Sequence, residues 1–231
     1  MKIKFSDSKK IAAGLFAMAA LTIFAGAQQQ ITSLINGMAA NAKQLSQYTY
    51  KQRTELHYKG ELKNTKLDEI HYSASGERVV IPLGEQKAES GSHRRGHGFR
   101  LVAKKIEGKQ EQTKQYVERL MFLTSRYLVS DPAKFRAALA KADVTKSVGS
   151  SLVRIHMSNF VKSGDLMIMT VNSATNRPVK TEVMTTLDNG PVSIVMTFDQ
   201  IHEGPNYPSK TVVRSDAEEL EVRMFTYDYR L

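Results

Sequence analysis

The sequence predicts an α+β fold: a curved antiparallel sheet, a half-open β-barrel of about nine strands, with helices covering its concave face. Three observations predict it. Long stretches alternate apolar and polar residues with period two. Clusters of Gly, Pro, Asn, Asp and Ser separate those stretches. Helical spacing occurs in only three segments, one ahead of the strands and two between the third strand and the rest. A sheet of this length should curl. Its apolar face needs cover, and the three helices are the available cover.

The first residues have the three parts of a secretory signal peptide. Lys2, Lys4, Lys9 and Lys10 precede an uncharged apolar run of 14 residues, Ile11 to Phe24, and then Ala25-Gly26-Ala27. The expected organisation is a cleaved signal peptide over 1–27 and a single domain over 28–231. The apolar run is shorter than the roughly 20 residues that a spanning helix needs. The chain has no cysteine, which excludes disulfides, thiolate metal ligands, a thiol nucleophile and lipid attachment at a cysteine. An exported, cysteine-free chain fits a bacterial periplasm. The net charge is +10, and loss of four Lys and one Asp with residues 1–27 would leave +7. The basic residues are spread along the chain, so a solvated basic surface is expected rather than a nucleic-acid site.

Gln28 to Gln47 is the first expected helix, because Ile31, Leu34, Ile35, Met38, Ala42 and Leu45 recur on one face. Tyr48 begins a strand in which Tyr48, Tyr50, Gln52, Thr54, Leu56 and Tyr58 alternate with charged and polar residues. Gly60 marks a turn into Glu61–Ser73, and Ser75-Gly76 a turn into Arg78–Leu83. Gly84 to Arg100 is expected as a basic, Gly-rich loop. Lys104 to Val129 is the strongest helix, with Tyr116, Leu120, Leu123 and Tyr127 on one stripe. Asp131-Pro132 starts another over Ala133–Ala142, since Asp caps free amides and Pro fits the first helical position. Together these form a helical insertion near 104–142. Six further strands follow: Leu152–Val161, Asp165–Val171, Val179–Leu187, Val192–Ile201, Lys210–Arg214 and Leu220–Tyr229. Alternation gives Val153, Ile155 and Met157 one face, Val179, Val183 and Leu187 another, and Val192, Ile194, Met196 and Phe198 a third. Asp188-Asn189-Gly190 suits a hairpin turn with positive φ.

No catalytic motif is present. The chain lacks a Gly-x-Ser-x-Gly elbow, a phosphate-binding Gly-rich loop and a His-Glu-x-x-His pair. His93 and His97 are four apart, but the surrounding glycines argue against a helix that would bring them together. No metal, cofactor or catalytic residue is therefore expected. Methionine is the distinctive residue: Met157, Met167, Met169, Met184, Met196 and Met224 fall in strands. Its flexible, polarizable side chain suits a cavity for acyl chains of varied shape, or simply an ordinary core.

The order of elements, with Ser173-Ala174-Thr175-Asn176-Arg177-Pro178-Val179-Lys180, Thr197-Phe198-Asp199-Gln200-Ile201 and Tyr48-Thr49-Tyr50-Lys51-Gln52-Arg53-Thr54, resembles the periplasmic lipoprotein-carrier (LolA-like) half-barrel family. The resemblance covers most of residues 30–231. It implies a curved sheet around a hydrophobic cavity with a helical lid, and carriage of lipids or lipid-modified proteins without catalysis. The basic loop over 90–100 departs from the family pattern, and no residue matches the carriers' cavity arginine. The leading expectation is a monomeric periplasmic protein that buries acyl chains of lipid or lipoprotein against Val153, Ile155, Met157, Ile194, Met196 and Phe198. Leu120 and Leu123 of the lid helix would close over them. Arg94, Arg95 and Arg100 would meet head groups or an inner- or outer-membrane partner protein. The alternative is an envelope interaction or stress-sensor module whose core is filled.

Overall fold

A computed structural model of the chain describes residues 32–87, 99–128, 132–146 and 149–231. The expected signal peptide, His93, His97, Arg94 and Arg95 lie outside them. Helix α1 spans 32–45. Strands β1 (Thr49–Tyr58), β2 (Glu61–Tyr72) and β3 (Arg78–Lys87) follow as a meander. Helices α2 (Phe99–Ser125) and α3 (Pro132–Leu139) come next. The rest is β4 (Asp143–Lys146), β5 (Leu152–Ser158), β6 (Leu166–Asn172), β7 (Arg177–Leu187), β8 (Gly190–Gln200), β9 (Asn206–Ser215) and β10 (Leu220–Arg230).

All ten strands form one sheet in the order β3-β2-β1-β10-β9-β8-β7-β6-β5-β4. Every pair is antiparallel, and β1 closes on β10, with Thr49 opposite Arg230. The strands β3 and β4 are the two edges, so the sheet is an open half-barrel. The count is ten strands where sequence predicts about nine. The extra one is β4, four exposed residues paired with β5, and it carries no apolar alternation to detect. The insertion is longer than expected at its front, since β3 continues to Lys87 and α2 begins at Phe99.

Period-two burial is clearest in β6, where Met167, Met169 and Val171 point inward between half-buried neighbours. The same alternation buries Ile155 and Met157, Val192, Ile194 and Met196, and Val213, Leu220 and Val222. These side chains form one apolar cluster with Leu34 and Ile35 of α1, Tyr116, Leu120 and Leu123 of α2, Tyr127, and Phe135 and Leu139 of α3. One expected face is corrected. Val179 is exposed, while Pro178, Thr181 and Val183 are buried. A bulge puts Pro178 opposite Val171 but Lys180 opposite Thr170, and the additional residue turns Val179 outward. The β7–β8 hairpin is as predicted in kind: Asp188 and Asn189 both take positive φ, at 49° and 66°.

The two long helices cover different ends of the strands. At the β7–β8 end, Tyr116 Oη is 2.7 Å from Ser215 Oγ. Tyr127 Oη donates to Asp165 Oδ2 at 2.7 Å and is within hydrogen-bond distance of the Thr185 hydroxyl, at 2.9 Å. Arg119 pairs with Asp188 in the hairpin at 2.7 Å. At the opposite end, Asn176 Nδ2 donates to Ser33 Oγ of α1 at 3.0 Å. Asn41 of α1 donates from Nδ2 to the Asn206 carbonyl at 2.8 Å and accepts the Asn206 amide at 2.6 Å.

A candidate acyl-binding cavity beneath the first helix

Side chains leave a space unfilled under α1. It is a cavity of about 350 Å³, within the size range of ligand pockets. Its floor is Met167 and Met169 of β6, Thr181 of β7, Met196 and Phe198 of β8, and Asn206 and Pro208 of β9. Gly37, Met38, Ala40, Asn41, Ala42, Gln44 and Leu45 form the roof. Tyr127 and Leu128 bound one side, and Thr175 to Pro178 the other.

The cavity follows from residue size. In register across the sheet run Met169, Thr181, Met196, Thr211 and Met224, so that short threonines alternate with methionines. The helix above offers Gly37, Ala40 and Ala42. Short side chains on both walls leave a volume that neither can fill. Under α2 the facing side chains are Tyr116, Leu120 and Leu123, all buried, and there the core is packed.

The lining is mostly apolar, with a few polar groups. Among the described residues that line it, Arg177 is the one charged residue. Asn206 is 8% exposed and donates from Nδ2 to the Pro178 carbonyl at 3.0 Å. Its Oδ1 has no hydrogen-bond partner, and neither has Oγ1 of Thr181, a residue 1% exposed. A buried polar atom without a partner costs about 1–3 kcal/mol. The Tyr127 phenol is satisfied, and burial, with the neighbouring Asp165 carboxylate, pushes its pKa up, so it stays a neutral donor. Asp165 also accepts the amides of Phe160, Val161 and Lys162. This fixes the turn before β6 against Tyr127.

Of the eight apolar residues singled out from sequence, Met196 and Phe198 line the cavity. Val153, Ile155, Met157, Ile194, Leu120 and Leu123 belong to the surrounding core and do not line it. Arg100 lies in the first turn of α2, and its side chain is outside the described residues. Sequence reasoning missed Thr181, Asn206 and Arg177 as lining residues. Arg177 and Asn206 sit in segments read as turns, and an inward Thr on an alternating strand carries no signal of its own. Among the described residues, no three His, Asp or Glu come close enough to hold a metal ion. Among the same residues, no helix is long and apolar enough to cross a membrane.

No family model matches the chain, and no curated protein matches it. Similar architecture occurs among solved structures. A DUF1329 family protein from Desulfovibrio piger is 10% identical, with 87% of this chain and 92% of that one covered at a TM-score of 0.42. A proposed outer membrane lipoprotein-sorting protein domain from Vibrio parahaemolyticus is also 10% identical, over 88% and 92%, with a TM-score of 0.42. A LolA superfamily protein from Nitrosomonas europaea is 10% identical over 84% and 92%, with a TM-score of 0.36. These are likenesses of architecture. They carry no information about a ligand of this chain.

Proposed function

We propose that this protein is a non-catalytic binding protein of the bacterial periplasm that takes an acyl chain of a lipid or lipid-modified protein into the cavity under α1. The observation that carries this reading is the unfilled, methionine-rich space itself. Met38, Met167, Met169, Met196 and Phe198 offer apolar walls, and each methylene buried there contributes about 0.8 kcal/mol. Methionine adapts its shape to chains that differ in length or kink. Arg177 is placed to meet an anionic head group. The helix that moves on loading is α1, because α2 is tied down by buried hydrogen bonds at Tyr116 and Tyr127. Val153, Ile155, Met157, Ile194, Leu120 and Leu123 support the walls from behind.

The test is native mass spectrometry of the exported protein purified from its own compartment, followed by organic extraction and lipid analysis. An extractable lipid near one per chain is expected, and Met196→Asp should abolish it while the chain stays folded. A mass that matches the bare polypeptide, unchanged after incubation with membranes, would sink the reading. That outcome would favour the envelope interaction module, for which the packed half of the core under α2 is the supporting observation.

A further inference from the structure

The size of the cavity under α1 and the charge around it together restrict what it takes. A cavity of about 150 Å³ holds the six carbons of benzene, or about 25 Å³ per carbon. At that density the cavity of about 350 Å³ under α1 holds about 14 carbons. A second chain of that length would need the same volume again. Around the cavity, the segments 32–48, 126–128 and 173–178 carry Lys43, Arg126 and Arg177 and no Asp or Glu. Arg177 is half-buried in the lining, and none of the ion pairs among the described residues involves it. We propose, resting on the acyl-binding reading, that the ligand is a single-chain anionic amphiphile of up to about 14 chain carbons, a fatty acid or a lysophospholipid, and that the cavity excludes the multi-chain anchors of bilayer lipids and lipid-modified proteins.

The roof keeps this volume small. Ser33, Gly37 and Asn41 follow one another at about single-turn spacing along α1. Ser33 accepts from Asn176, a Cβ at Gly37 would meet Asn176 O at 3.7 Å, and Asn41 exchanges two hydrogen bonds with the Asn206 backbone. The helix is thereby seated against Asn176 and Asn206, which themselves line the cavity. A chain enters when α1 lifts, and these contacts re-form over one chain. Over two chains they stay broken, so a two-chain lipid forfeits the hydrogen bonds that close the site.

The experiment is titration calorimetry of the exported protein, cleared of lipid, with octanoic, dodecanoic, tetradecanoic and octadecanoic acid, each below its aggregation concentration. Affinity should rise about fourfold per added methylene and level off at about 14 carbons. Gly37→Phe should level off at shorter acids, and Arg177→Gln should weaken tetradecanoic acid about tenfold. Incubated with vesicles holding tetradecanoyl lysophosphatidylglycerol and ditetradecanoyl phosphatidylglycerol in equal amounts, the protein should retain the lysolipid about tenfold more, by native mass spectrometry. Levelling off with the acids alone, or retention of the lysolipid alone, supports the limit and names the source of the chain. Affinity that still climbs from tetradecanoic to octadecanoic acid, or equal retention of both phospholipids, would overturn the single-chain limit and leave the acyl-binding reading intact. Unchanged affinity in Arg177→Gln would overturn the anionic head. Binding of no acid and no phospholipid would remove the acyl-binding reading as well.

Discussion

Gly37 lies on α1 where the helix passes over the cavity. A Cβ added there would meet Asn176 O at 3.7 Å and Asn176 Cβ at 3.8 Å, ordinary contact distances. Glycine inside a helix costs up to about 1 kcal/mol relative to alanine. Gly37→Ala should therefore raise stability by about that amount in urea unfolding, and Gly37→Phe should lower the lipid bound per chain by filling the space. Tyr127→Phe leaves the Thr185 hydroxyl without this partner and removes one of four bonds to the Asp165 carboxylate. The expected loss is about 1–3 kcal/mol, read from the same unfolding curves. On the outer face of the sheet, burial works against ionisation of Glu221, but hydrogen bonds from Arg214 and Arg223 outweigh it and hold its carboxyl below the usual range. The carboxylate is thus favoured in the folded state. Its contribution is present above the unfolded-state pKa of about 4.3 and is lost as pH falls through the lower folded-state value. The stability gap between the protein and Glu221→Gln should narrow on acidification below that range, and a gap independent of pH would contradict it.

The helices differ in how they are held. On the described part of α1, Leu34 and Ile35 are the buried residues, and its tertiary hydrogen bonds include those of Ser33 and Asn41. The last turns of α2, by contrast, bury Tyr116, Leu120 and Leu123 and are fixed at both ends. Amides of α1 should exchange with solvent faster than those of 113–125, and bound ligand should slow α1 more than α2. Equal protection of the two helices in the unliganded protein would count against α1 as the moving cover. The same contrast explains what the sequence could and could not disclose. Strands such as β6 and β8 are legible because burial on one face forces strict alternation. The bulge at Pro178 is not, since nothing local distinguishes an inserted residue from the next step of the pattern. The cavity is least legible of all. It arises from Gly37, Ala40 and Ala42 on one element and Thr181 on another, and no window along the chain contains both walls.

In the whole molecule, the strand order is that of a simple meander opened at α2 and α3 and joined instead between β1 and β10. Each end of the chain thus completes the other. The β1–β3 meander reaches the rest of the sheet through β10 alone. A chain ending at residue 219 would lose that connection, and β1 from Thr49 to Tyr58 would keep a strand partner on its β2 side alone. Such a truncation should lose its cooperative thermal transition by circular dichroism. A cooperative transition near that of the intact protein would show that the meander docks by other means.

The pairing of the earliest strand with the last also sets a timetable. Hairpins between neighbouring strands, β1 with β2 among them, can form while the chain is still emerging, but the other edge of β1 has no partner until Leu220 to Arg230 are available. The contact that finishes the sheet carries the largest sequence separation in the fold, and contacts of that kind slow folding. A chain delivered across a membrane from its N-terminus would therefore remain without its finished sheet throughout transit. Translocation of such a chain would benefit from this delay, because an unfinished sheet is easier to thread than a finished one.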